Sequence, residues 1–108
     1  MVKIDSDTYA LAYESSDNDG HVATFTVSSD GTTLTEVGSV EYTTDDGENN
    51  AIVQVDSDTY ALLYHGDNNG GIITSFTIAS NGTITDLGTA VQTSGSGEGS
   101  GMIQVDSD

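Results

Sequence analysis

The chain repeats itself with a period of about 50 residues, which is typical of repeat architectures. The stretch "IDSDTYALAY" begins at Ile4, a near copy, "VDSDTYALLY", begins at Val55, and a third start, "VDSD", begins at Val105. The repetition predicts two successive copies of one structural unit, 1–52 and 53–102. Residues 103–108 are predicted to begin a third unit with its inner strand.

The two units align over nearly their whole length, with one extra Thr in the first unit after Gly31. Apolar residues and turn glycines fall opposite each other in the alignment. The clearest pairs are Val2 with Val53, Tyr9 with Tyr60, Phe25 with Phe76, and Gly38 with Gly88.

Each unit contains four short β-type segments separated by turn residues. In the second unit these are "IVQV", "TYALLY", "IITSFTI" and a segment that runs from "ITDLG" towards "AVQ". Glycines beside Asp or Asn, such as Gly31 and Gly82, supply the positive φ that tight hairpin turns need. Proline is absent and no helical apolar period persists, so we predict an all-β protein without helices.

The second segment is apolar on both faces. Alternation places Tyr60, Leu62 and Tyr64 on one side of the strand and Ala61 and Leu63 on the other. A sheet that is apolar on both faces must be covered on both, and the repeat offers no helix to do so. We therefore expect each sheet to pack between other sheets.

Four-stranded units of this length, each packed between copies of itself, are the blades of a β-propeller. A two-sheet β-sandwich and a β-solenoid are the alternatives, but a sandwich leaves one polar face on each sheet. The Gly-rich stretches "TTDDGENN" and "TSGSGEGS" are predicted to be long loops between the fourth strand of one blade and the first strand of the next.

The residues also resemble a known superfamily. The succession "DSDTYALAY", a Gly-containing turn and "HVATFTVSSDGTTLTEVGS" is similar to blades of the propellers that include YVTN-type and lactonase-like repeats. The resemblance implies the propeller fold. It implies almost nothing about function, because one fold hosts many activities.

Two blades cannot close a ring, which usually needs four to eight. We expect the chain to complete a ring by self-association, or to be an engineered or excised fragment of a longer repeat array. A homotrimer would give six blades and a homotetramer eight. The predicted partner is therefore another copy of the chain.

The charge excludes several other partners. The formal net charge is -17, with Lys3 as the only basic residue besides two histidines. Nucleic acids and anionic membranes require a positive surface, so neither is expected to bind. No apolar run approaches the roughly 20 residues of a membrane span. The sequence gives no cellular location, although an extracellular one is favoured, and "NGT" at Asn81 is a glycosylation sequon.

Little in the sequence suggests catalysis. Arg and Cys are absent, and His21 and His65 occupy non-equivalent places in the two units, where we expect both to be solvated. A nucleophilic triad needs three groups placed together. We predict a non-catalytic structural module rather than an enzyme. The alternative is an extracellular carbohydrate- or calcium-binding propeller, with Tyr42 as the available sugar platform.

Calcium is the one ion that the sequence suggests, and no other cofactor is predicted. Acidic residues lie in the turn after the second strand and in the predicted loop after the fourth, which we expect at one end of the blade. Oxygen ligands in Gly-rich loops suit Ca²⁺, although solvated, turn-forming Asp is the alternative. The candidate ligands are Asp17, Asp19, Asp45, Asp46 and Glu48.

Overall fold

A computed structural model describes residues 1–66, 70–92, 101–103 and 105. Within these residues the protein is all-β, with two antiparallel four-stranded sheets and no helix. It follows that no helix in the described part could cross a membrane. The predicted fold class is confirmed, and so is the predicted pair of blade-like sheets.

The first sheet is a meander in which each strand pairs with the next along the chain, in the order β1-β2-β3-β4. Its strands are rich in Tyr, Val and Thr, which suit a pleated, half-buried surface. Their bounds are β1 Val2–Lys3, β2 Thr8–Glu14, β3 Asp19–Val27 and β4 Leu34–Asp46.

The second sheet repeats this arrangement in the order β5-β6-β7-β8. Its bounds are β5 Glu48–Gln54, β6 Thr59–His65, β7 Gly71–Ile78 and β8 Ile84–Gln92. The repeat boundary predicted at residue 52 falls inside β5. The units 1–52, 53–102 and 103–108 describe the sequence repeat, and they stay predictions.

The connection between the sheets differs from the prediction. The stretch "TTDDGENN" is not a long loop, because β4 continues to Asp46 and β5 begins at Glu48. Register shifts in the β3–β4 ladder let β4 stay paired as far as the Asp19–Asp46 pair. Gly47 alone joins the sheets, and its amide donates to the carbonyl of Asn18 at 3.1 Å. The second predicted loop, "TSGSGEGS", lies outside the described residues.

The core lies between the two sheets. Tyr60, Leu62 and Phe76 of the second sheet have no exposed surface, and they pack with Ala10 and Val22 of the first. The large residues come mainly from one sheet and the small residues from the other. The predicted face of β6, with Tyr60, Leu62 and Tyr64 on one side, is therefore confirmed.

A buried hydrogen bond joins the sheets at this core. The hydroxyl of Thr24 in β3 donates to the carbonyl oxygen of Gly82, in the turn after β7, at 2.7 Å. Gly82 has φ +86°, and a Cβ on Gly38 would lie 2.9 Å from its carbonyl oxygen. The turn of the second sheet thus sits directly on the backbone of the first, where a side chain at either glycine would interfere.

The corresponding turn of the first sheet is closed by Asp30. Its carboxylate accepts hydrogen bonds from the Ser28 hydroxyl at 2.6 Å and from the Thr32 amide at 3.1 Å. Gly31 follows with φ +72°, the left-handed conformation that glycine adopts without strain. The Gly-containing turn predicted here is confirmed, and its Asp is a structural residue.

We expect the Thr24→Val variant to lower the free energy of unfolding by about 1–3 kcal/mol, because the buried Gly82 carbonyl loses its donor. Urea unfolding monitored by circular dichroism would measure the loss. The matched control is Thr26→Val, in the same strand and on the same face, where the change should stay within about 0.5 kcal/mol. Equal losses in the two variants would contradict a special role for the Thr24 bond.

The hydrogen bonds that the Asp30 carboxylate accepts, first from the Ser28 hydroxyl and then from Thr32, lower its pKa from 3.8 to about 2. Since the folded pKa is depressed, the stabilisation is complete above pH about 4 and is lost as pH falls towards 2. Titration of the Asp30 ¹³Cγ resonance should show this, and Ser28→Ala should move the pKa back towards 3.8. Ser16→Ala is the control and should leave the titration of Asp30 unchanged.

Candidate functional site

The first sheet carries an apolar face that nothing in the described chain covers. This surface, the open face, lines a groove of about 370 Å³ on the side of the sheet away from the core. Leu11 is 37% exposed and Leu34 is 66% exposed. The open face consists of Met1, Tyr9, Leu11, Phe25, Val27 and Leu34.

The repeat shows what kind of surface the open face is. Tyr9, Leu11 and Phe25 align with Tyr60, Leu62 and Phe76 of the second unit. Those counterparts have no exposed surface, because they pack against the first sheet. The open face is therefore the equivalent of a packing face inside the same chain.

The second sheet has the complementary surface on its far side. Ala61, Leu63, Ile73 and Ser75 alternate with the core residues of β6 and β7, and each of the four is half-buried. We call this surface the small-residue face. Its members align with Ala10, Ala12, Val22 and Thr24 of the first sheet, which lie against the second sheet.

Two glycines show the same division between covered and open positions. Gly38 and Gly82 lie against each other in the core, at a separation that leaves no room for a side chain. Their counterparts by alignment are Gly88 and Gly31, and an added Cβ on either would meet nothing within 4 Å. Each of the two glycines in the contact between the sheets therefore has an equivalent on the outside of the protein, where an added side chain would have room.

The predicted calcium ligands are only partly brought together. Asp17 lies in the turn before β3, Asp19 begins β3, and Asp46 is the cross-strand partner of Asp19. Asp45 is exposed beside Asp46 near the end of β4. Glu48 begins β5 in the other sheet, so four of the five acids lie in strands. These four include all three that were predicted in a loop after the fourth strand. Calcium binding by these residues stays a prediction.

Glu48 and His65 form a contact that the sequence did not predict. His65 is 7% exposed, so the expectation that it is solvated is wrong. It ends β6, where pairing with both β5 and β7 keeps it in the sheet rather than in a turn. Its Nδ1 lies 3.6 Å from a carboxylate oxygen of Glu48, and neither ring nitrogen has a hydrogen-bond partner.

Tyr42 is not available as a platform on which a sugar could stack, so the expectation that it would be is wrong. Its ring centroid lies 4.7 Å from that of Tyr64 and 6.4 Å from that of Phe76, so it packs with the aromatic core. The hydroxyl donates to the side-chain oxygen of Asn50. Burial raises the pKa of Tyr42 well above its usual value, and the neighbouring Tyr64 adds a smaller electrostatic contribution in the same direction. The residue belongs to the packing between the sheets.

The profile of one protein family, described as "Lactonase, 7-bladed beta-propeller", matches residues 2–104. The match spans both sheets. No curated protein and no solved structure matches the chain. The family finding agrees with the resemblance of the strand and turn sequences to propeller blades.

We expect Gly20→Ala to destabilise the protein by about 1–3 kcal/mol, because the added methyl group would overlap the ring of Tyr42. The matched control is Gly101→Ala, whose Cβ would meet nothing within 4 Å. Urea unfolding of the two variants would compare them. A Gly20→Ala variant as stable as Gly101→Ala would show that Tyr42 does not occupy this place.

Proposed function

The chain belongs to the lactonase family of 7-bladed β-propellers, and from that premise we propose that it is a non-catalytic assembly module. In this proposal copies of the chain pack head to tail, with the open face of one copy against the small-residue face of the next. The ring of blades closes by repetition of a contact that the chain already makes internally.

The observation that carries the proposal is the equivalence of the inner and outer faces. Inside the chain, Tyr60 and Phe76 cover Ala10 and Val22. Outside it, the equivalent aromatic residues and the equivalent small residues lie on opposite sides of the protein. The two surfaces are therefore different but complementary, as a head-to-tail contact requires.

The polar contacts of the inner interface support the same arrangement. Thr24 donates to Gly82 across the sheets, and the residues equivalent to them are Ser75 and Gly31. In a head-to-tail pair, Ser75 of one copy would donate to the Gly31 carbonyl of the next. The Gly31 turn would meet Gly88, in place of the inner contact between Gly82 and Gly38.

Closure sets the number of copies. A head-to-tail contact gives a ring when its rotation closes and a filament when it does not. Identical chains with two complete blades give an even number, so three copies make six blades and four make eight. The family description names seven blades, a number that copies of two complete blades cannot reach. The proposed assembly is therefore a homotrimer or a homotetramer, with a blade count that departs from the family's.

Charge opposes this assembly. Each copy carries a formal charge of -17, and the copies repel one another at low ionic strength. Added salt screens this repulsion, with a Debye length that falls to about 3 Å at 1 M. Assembly should accordingly be retained or strengthened as salt rises.

Lactone hydrolysis is the alternative that the family name raises. The two histidines lie in different sheets, at β3 and β6, and the sequence holds no Arg to bind an anionic substrate. These features support the non-catalytic proposal. Saturable turnover of any member of a lactone panel, lost on heat denaturation, would contradict it. Carbohydrate and calcium binding stay predictions from the sequence.

We predict that the Leu11→Asp and Leu63→Asp variants each prevent ring formation, because each places a buried charge in one half of the contact. Native mass spectrometry and light scattering at several salt concentrations would measure the mass. Ser16→Asp adds the same charge in the exposed turn before β3 and is the matched control, expected to keep the wild-type assembly.

Mixing the two variants gives a sharper result. The Leu11→Asp chain keeps its small-residue face and the Leu63→Asp chain keeps its open face, so the mixture should form a heterodimer that cannot grow further. A wild-type protein that stays monomeric at every salt concentration would overturn the proposal. So would variants that assemble like the wild type, or a mixture that shows no heterodimer.

A further inference from the structure

We propose that Asp19, His21 and Glu41 form a binding site for a divalent transition metal, with Zn²⁺ as the ion that fits the donors. One ligand atom from each side chain lies within 4.8 Å of the other two. This site includes only Asp19 among the predicted calcium ligands. It differs from the calcium prediction in its residues and in the chemistry of its donors.

The sheet itself holds the three side chains on one face. Asp19 and His21 are two residues apart in β3, so both point to the same side of the strand. Glu41 in β4 is the direct cross-strand partner of His21. The register shifts on either side of Gly20 are local bulges, and such bulges re-aim side chains. The short spacing of the donors follows from this pairing.

His21 is also held from its other side. Its ring stacks on that of Tyr13 in β2, with centroids 5.7 Å apart and planes inclined by 22°. Tyr13 and His21 are cross-strand partners as well. The imidazole therefore lies between Tyr13 and Glu41, and its orientation is restricted before any ion binds.

The donor set selects the class of metal. One imidazole with two carboxylates suits Zn²⁺ and its neighbours in the first transition row, whereas Ca²⁺ and Mg²⁺ prefer oxygen donors alone. Donor atoms around a tetrahedral Zn²⁺ lie about 3.3 Å apart. Modest changes in side-chain torsion angles, chiefly of the exposed Glu41, would bring the three donor atoms from their present separation to that distance. Three protein ligands leave the fourth position to water.

Within the part of the chain that the structure describes, no cationic side chain pairs with the donors of the site. In residues 1–66, 70–92, 101–103 and 105, the only ion pair is between His65 and Glu48. None of the described hydrogen bonds uses the side chains of Asp19, His21 or Glu41 as donor or acceptor. Two carboxylates side by side without a positive partner repel each other, and a bound divalent cation removes that repulsion.

The experiment is a Zn²⁺ titration of the full chain by isothermal calorimetry, in excess Ca²⁺ and Mg²⁺ so that oxygen-only sites are occupied. We expect one saturable Zn²⁺ per chain. His21→Gln and Asp19→Asn should each weaken it by at least about tenfold. Zn²⁺ should also shift the His21 ring resonances in the NMR spectrum of the wild type, a readout that does not depend on affinity.

Glu36→Gln is the matched control, because it removes one carboxylate charge, as Asp19→Asn does. Glu36 lies in β4, the strand of Glu41, but is paired with Phe25 and is not part of the site. Its Zn²⁺ affinity should stay within about twofold of the wild type. Far-ultraviolet circular dichroism would confirm that each variant is folded. Absence of saturable binding would overturn the proposal, as would equal losses in Glu36→Gln and His21→Gln, or Zn²⁺ binding that leaves the His21 resonances in place.

This result can be separated from assembly. Binding is counted per chain, and the Leu63→Asp variant, whose substitution lies in the other sheet, provides the same measurement on a protein designed not to form rings. If the site is present but no ring forms, the metal proposal stands and the assembly proposal fails. If rings form and Zn²⁺ does not bind, the reverse holds.

Discussion

Packing of an aromatic sheet face against a face of small residues is the interaction on which the rest of the structure depends. Tyr60 and Phe76 fill the space that Ala10 leaves free, and the Thr24 hydroxyl donates to the Gly82 carbonyl within the same contact. Because each sheet is apolar on both sides, neither could fold alone without exposing a large hydrophobic surface. The two sheets stabilise each other, and the short connection through Gly47 keeps them adjacent along the chain.

The contact between the sheets is directional, because each sheet contributes a different kind of face to it. This explains why the two outer faces of the protein differ. Every unit has an aromatic side and a small-residue side, so stacking two units leaves one of each uncovered. A symmetric back-to-back pair would instead bring two aromatic faces together, leaving Ala61 and its neighbours open. The asymmetry therefore favours stacking of further units in one orientation, with an aromatic face always against a small-residue face, whether the units belong to one polypeptide or to several copies.

Much of this architecture could be predicted from the sequence, because strand alternation indicates which residues are buried and the repeat shows the same pattern a second time. The buried side of β6 and the Asp30 turn were both identifiable from local patterns. The long β4 and the single-residue connection at Gly47 were not, since acids and glycines in "TTDDGENN" have turn propensity and only the bulged pairing with β3 keeps them extended. The burial of His65 was equally hidden, because it depends on pairing at both sides of β6.

The residues that depart from the repeat are the ones that the fold alone does not explain. At the position of His21 the second unit has Ile72, which packs against the core, and at the position of Asp19 it has Gly70. Ile72 shows that an apolar residue serves the blade at the first of these positions. The first unit has His beside two carboxylates where the second unit packs an Ile, and the imidazole ring packs on Tyr13 instead. Because this departure from the repeat brings an imidazole and two carboxylates together, the rim of β3 is a better place to look for a ligand than the acid-rich turns.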